Sequence, residues 1–234
     1  MTDTKIAYKK YRELFKICMN QYRELYPKSN SPDGKRGSIS RASSRFEMVY
    51  RLKGLQFEPT KKVDSTYFLL LKVNLYWFVY ESFFTKDKPL ITKKNYDITL
   101  EQDYNLTKYL NDVKTGLSGV LGKKKKKLYD YIKDILIPPA SGGTETSLKN
   151  LINIDLSNWN FTELISIIYA IRNNFAHNGD AAFTGLDTEI KDKVLTLFVD
   201  FLENILLQIF IKLLEDNKTE VEKLILKKKI PTKI

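Results

Sequence analysis

Apolar positions along this chain of 234 residues recur every three or four residues and rarely alternate, and only 10 glycines and 7 prolines interrupt them. That period belongs to helices that bury one face, so the pattern predicts an all-α protein. Helices are expected over Thr4–Tyr26, Ser40–Gly54, Lys62–Thr85, Leu100–Leu121, Lys127–Ile137, Phe161–Ala176 and Thr188–Glu215, with a short final one near Thr219–Lys228. No strand pair and no strand–turn–helix unit stands out. Residues 1–60 read as an N-terminal helical extension carrying a basic loop, Pro27–Phe46, and residues 61–234 as a helical bundle forming one compact unit. The Pro- and Gly-punctuated stretch Ile137–Ser147 separates the front helices from the last ones.

The helix expected from Thr188 stands apart. Val194, Leu195, Phe198, Phe201, Leu202, Ile205, Ile209 and Phe210 are among apolar residues that cover far more than one stripe. Such a helix must be buried on two sides, either at the centre of its own bundle or partly against a second copy.

Composition narrows the setting. A hydrophobic share of 43% excludes general disorder. The lone Cys18 cannot form an internal disulfide and reads as core filler in a reducing compartment, which makes a cytoplasmic protein the expectation. The opening MTDTKIAYKK lacks the apolar segment of a signal peptide or anchor. Lys72, Asn74 and Glu81 interrupt one long apolar run, and Asp200, Glu203, Asn204 and Lys212 the other, so no membrane span is expected.

A formal net charge of +11 attracts polyanions, of which nucleic acid is the commonest inside cells; a lysine-rich soluble surface is the plainer alternative. The run Lys123, Lys124, Lys125, Lys126 and Lys127 follows GLSGVLG but is not a phosphate-binding loop. Leu117 stands where that loop needs its first glycine, and Lys124 where it needs a serine or threonine. The run reads as a solvated turn or as a contact to RNA phosphates. Asp97, Glu101 and Asp103 sit where acids favour a helix start, with no second acidic cluster to complete a metal site. Neither a metal nor a cofactor is expected.

The stretch IIYAIRNNFAHNGD, Ile167–Asp180, holds the only histidine, His177, five positions after Arg172. Of seven arginines, six lie between residues 12 and 51, and beyond them every cation except Arg172 is lysine. An arginine singled out in this way offers what lysine does poorly, a planar fork that grips phosphate through two hydrogen bonds. Histidine gives and takes protons near neutrality, and arginine can balance the charge of a phosphorane-like transition state. On an unbroken α-helix the two would stand about 140° apart, so one chain makes a poor complete site; a change of helical geometry at His177 or a second copy would bring them together. The same residues also suit a plain helix C-terminus, where cations favour the macrodipole and HNGD makes a turn.

The segment RNNFAH, Arg172–His177, resembles the R-x4-6-H motif of HEPN ribonucleases, with Asn173 at the position that is often polar. The resemblance spans six residues within a helical context of about Lys62–Glu215 and leaves the first sixty residues unexplained. It implies a HEPN-type bundle with an extra N-terminal helical segment, acting as a metal-independent endoribonuclease that leaves a 2′,3′-cyclic phosphate. It further implies Arg172 and His177 as catalytic and Asn173 as orienting the histidine or the phosphate. Glu81 would be an accessory acid. A homodimer with a composite site is implied, since the chain carries one motif. Such domains recur in toxin–antitoxin modules, abortive-infection proteins and CRISPR-associated effectors, so an antitoxin, a regulatory RNA or a defence-complex subunit would be a natural partner. RNA would be drawn along Lys123–Lys127 and along Arg36, Arg41 and Arg45. The alternatives are a silent module of the same fold that binds RNA or a nucleotide, and an interaction protein whose charge neutralises an acidic partner.

Overall fold

The structure, a computed structural model, describes residues 3–27, 34–54, 64–84, 101–121, 158–178 and 188–229, with only the backbone of His177, Asn178, Thr188, Lys228 and Lys229. Every element is helical, and there is no strand among the described residues: α1 (Asp3–Leu25), α2 (Lys35–Arg51), α3 (Asp64–Ser82), α4 (Thr107–Leu121), α5 (Phe161–Asn173), a π-helical turn (Asn174–Asn178) and α6 (Thr188–Lys229). The all-α class read from the sequence is therefore the observed one. The helix expected at Lys127–Ile137 and the loop Ile137–Ser147 lie outside the described residues.

The chain divides into two compact units, each assembled from separated segments. The first comprises residues 1–48, 79–94 and 204–234, and the second residues 49–78 and 95–203.

In the first unit the stripes of α1 and α2 make the core. Tyr11, Cys18, Tyr22 and Leu25 are buried along α1, and Ile39, Ala42 and Phe46 along α2, both at helical spacing. Around Phe210 of α6 gather the rings of Tyr11, Phe46 and Phe83, with centroids 5.3, 5.4 and 4.9 Å away. Cys18 belongs to this interior, and burial pushes its thiol up to about 11, away from the reactive thiolate range.

The second unit holds most of α3, all of α4 and α5, and the start of α6. Leu110, Val113, Leu117 and Leu121 form the buried stripe of α4. Gly116 lies where an added Cβ would come within 2.5 Å of Leu197 on α6, so the glycine permits a close helix approach. Phe161 meets Phe201 at 5.8 Å and Trp77 meets Tyr169 at 5.2 Å.

Among the boundaries that differ from the sequence pattern, two concern α4 and α6. The helix expected over Leu100–Leu121 breaks after residues 101–103, because Asn105 takes a left-handed conformation (φ 54°) and a new helix starts at Thr107. The two final helices expected at Thr188–Glu215 and Thr219–Lys228 are instead one helix of 42 residues. Asn217 and Thr219 look like a break in sequence, but their side chains donate back to the carbonyls of Leu213 (2.7 Å) and Glu215 (3.1 Å). The buried Asn217 also accepts from the Tyr22 hydroxyl at 2.9 Å, which ties this last stretch to α1.

By length and composition α6 could cross a membrane, yet 67% of its most apolar window is buried inside the protein, as befits a central core helix.

Candidate functional site

The site read from the sequence is built on α5. Asn160 caps this helix: its side chain accepts from the Glu163 backbone amide, while the Glu163 carboxylate accepts from the Asn160 amide. Just before the cap, Trp159 is buried and its carbonyl accepts from the Lys114 ammonium at 3.0 Å, fastening the start of α5 to α4. A broad apolar face that includes Leu164, Ile167, Ile168 and Ile171 then fixes the rotation of the helix. Both constraints determine where Arg172, in the last turn, projects.

Arg172 is half-buried and held from two sides. Its Nη1 donates to Asn173 Oδ1 at 2.7 Å, and its guanidinium carbon lies 5.0 Å from the centroid of the Phe78 ring. Its Nε is buried and makes no hydrogen bond among the described residues. Asn173 thus engages the arginine directly.

Immediately after α5 the backbone widens into the π-helical turn Asn174–Asn178, which contains His177. A π turn closes its hydrogen bond at i+5, whereas an α turn closes it at i+4, so backbone positions five apart are drawn toward one face. The spacing that leaves positions 172 and 177 about 140° apart on an ideal α-helix is narrowed by this turn. Short π segments inside helices are frequent at functional sites.

The remaining sequence candidates fall elsewhere. Glu81 belongs to the first unit, where it is exposed near the end of α3 and its carbonyl accepts from the Phe84 amide. Arg36, in the stretch read as a basic loop, is on α2, and so are Arg41 and Arg45, which the helix expected from Ser40 already included. α2 begins at Lys35, because the Ile39, Ala42, Phe46 and Val49 stripe rewards helix formation more than serine and glycine oppose it. Arg45 is exposed on that helix, while Arg36 and Arg41 line a cleft. Lys123, Lys124, Lys125, Lys126 and Lys127 lie outside the described residues.

Two features escaped the sequence reading. In sequence the aromatic residues Tyr76, Trp77, Phe78, Tyr80, Phe83 and Phe84 read together as core; the other five are buried, but Phe78 is 41% exposed. It follows Leu71 and Asn74 at helical spacing on the less buried stripe of α3, a placement hidden by an apolar pattern with no clear polar face. The second feature is a polar cluster in the second unit. The Tyr76 hydroxyl donates to Glu203 Oε2 at 2.6 Å, and the Lys72 ammonium lies over the Phe68 and Tyr76 rings at 5.5 and 5.6 Å. Burial raises the Glu203 carboxyl above its ordinary range, against the Tyr76 hydrogen bond and the Lys72 charge; burial also lowers Lys72, against the pull of Glu203. In sequence Lys72 and Glu203 appear only as interruptions of two apolar runs.

No protein-family model, no curated protein and no solved structure matches this chain.

Proposed function

We propose that the protein is a metal-independent endoribonuclease of HEPN type, and that it cuts RNA at a site built from Arg172, Asn173 and His177. The observation that carries this reading is the arginine itself. Its guanidinium is oriented by Asn173 at 2.7 Å and by the Phe78 ring at 5.0 Å, one π turn ahead of the only histidine. A pre-oriented fork of this kind suits a phosphodiester whose oxygens gain charge during reaction.

In the proposed reaction His177 takes the proton of a ribose 2′-hydroxyl, and that oxygen attacks the adjacent phosphorus. The bond from phosphorus to the 5′-oxygen breaks, and the leaving oxygen receives a proton, in a dimer from the His177 of the second copy. The products are a 2′,3′-cyclic phosphate and a 5′-hydroxyl, and Arg172 stabilises the charge on the phosphoryl oxygens between them. A net charge of +11 supports RNA as the polyanion. A role in a cytoplasmic defence, abortive-infection or toxin system belongs to the same reading, as does control by an antitoxin or other partner.

The exposed Phe78 beneath Arg172 favours one second reading, a silent module that holds RNA or a nucleotide by stacking and charge without turnover. Cleavage of a mixed RNA pool in excess chelator decides between them, comparing wild type with His177→Ala and mapping product ends. Cyclic phosphate ends that vanish in the variant support the ribonuclease. Absence of cutting, with RNA bound equally by both proteins, transfers the site to the binding module.

A further inference from the structure

A cleft of about 760 Å³ opens between α1 and α2, wholly inside the first unit. Five cationic side chains line it, Arg12, Lys16 and Arg23 from α1 and Arg36 and Arg41 from α2, against the single carboxylate of Glu13. Four of the seven arginines of the chain therefore line one cleft, in a protein whose usual cation is lysine. Arg12 is neutralised by Glu47 at 2.8 Å. Arg23 and Arg41 have weaker local partners, the neutral Asn20 Oδ1 at 3.4 Å and Ser38 Oγ at 3.3 Å. Like charges gathered along adjacent helical turns repel one another, and an anion in the cleft would relieve that repulsion. Gly37 contributes as well: a Cβ there would stand 3.3 Å from Arg41 Nη1, so its absence leaves the guanidinium room across the helix.

From this lining we infer that the α1–α2 cleft is a binding site for a nucleotide carrying two or more phosphates. The volume lies within the roughly 300–1,000 Å³ of small-ligand pockets, which suits a nucleotide. The guanidinium forks of Arg23, Arg36 and Arg41 suit phosphate oxygens. The half-buried Phe15 and the buried Met19 supply an apolar wall for a base, and Glu13 an acceptor for a ribose hydroxyl or a base amino group. The site shares no residue with Arg172, Asn173 and His177 and does not depend on the ribonuclease reading.

The test is calorimetric titration of His177→Ala protein, which cannot consume RNA under the proposed mechanism, with ATP, inorganic triphosphate and a 12-nucleotide single-stranded RNA. ATP is expected to bind, and more tightly than triphosphate. Arg23→Gln and Arg41→Gln should each weaken it about tenfold, the effect of one lost charge-assisted hydrogen bond. Arg41→Lys should weaken it too, while keeping the charge and so guarding against a folding artefact. Lys193→Gln, an exposed cation outside the cleft, should leave it unchanged. Absence of ATP binding at millimolar concentration overturns the proposal, as does ATP binding indifferent to Arg23 and Arg41. Triphosphate binding as tightly as ATP overturns the nucleoside part. Arginine-dependent binding of the RNA alone replaces it with an RNA track.

Discussion

Replacing Arg172 by lysine keeps the positive charge and removes the fork, so it separates catalysis from folding. The structure gives the guanidinium two contacts, the 2.7 Å hydrogen bond to Asn173 and the 5.0 Å approach to Phe78. A hydrogen bond to a charged group contributes about 1.5–3 kcal/mol and a cation over an exposed ring about 0.5–1 kcal/mol. Since the residue is only half-buried and an ammonium retains part of both, the expected loss of stability is below about 1.5 kcal/mol. The loss in cleavage should be larger. Removing one preorganised donor to a charged transition state costs about 10²- to 10³-fold in rate, or about 2.7–4 kcal/mol. Initial rates on a fluorophore-quenched RNA in excess chelator, measured beside thermal unfolding, give both quantities on one preparation. A variant within threefold of wild-type activity would remove Arg172 from the chemistry. A fall in stability as large as the fall in rate would make the arginine a folding residue.

Phe210→Ala should destabilise by about 3–5 kcal/mol, since it empties the centre of the Tyr11, Phe46 and Phe83 cluster, whereas Phe78→Ala should cost less than about 1 kcal/mol and act on RNA affinity. Denaturant titration of both, with filter binding of RNA, checks the contrast. Asn217→Ala and Tyr22→Phe should show a coupling of about 1 kcal/mol in a double-mutant cycle, because each contributes one end of a buried hydrogen bond. For Glu203 the folded carboxyl titrates above its ordinary 4.5, so the native state binds the extra proton and this group favours folding less as pH rises through that window. The stability of wild type relative to Glu203→Gln should therefore increase as pH falls from neutrality toward 4.5, in chemical denaturation at a series of pH values. A flat difference would show that Glu203 titrates as it does in the unfolded chain.

The helical period alone determined the class and most elements, because a stripe of apolar residues every three or four positions has only one regular backbone that buries it. It also marked α6 as buried on more than one side, since a helix apolar on several sides needs neighbours on several sides. The pair Arg172 and His177 was legible from scarcity: one histidine, and one arginine beyond residue 51. What the period could not convey is where polar atoms find partners. Asn217 and Thr219 read as a helix end until a buried tyrosine and the carbonyls of the preceding turn satisfy them. Phe78 read as core among its aromatic neighbours, because hydrophobicity does not say which face of a uniformly apolar helix is left uncovered. The π turn at Asn174–Asn178 and the cation-lined cleft likewise carry no local signature. The first is a change in hydrogen-bond register, and the second is a meeting of two helices whose arginines are separated in sequence. The cleft arises from tertiary packing, which decides the geometry of groups whose chemistry the sequence already displays.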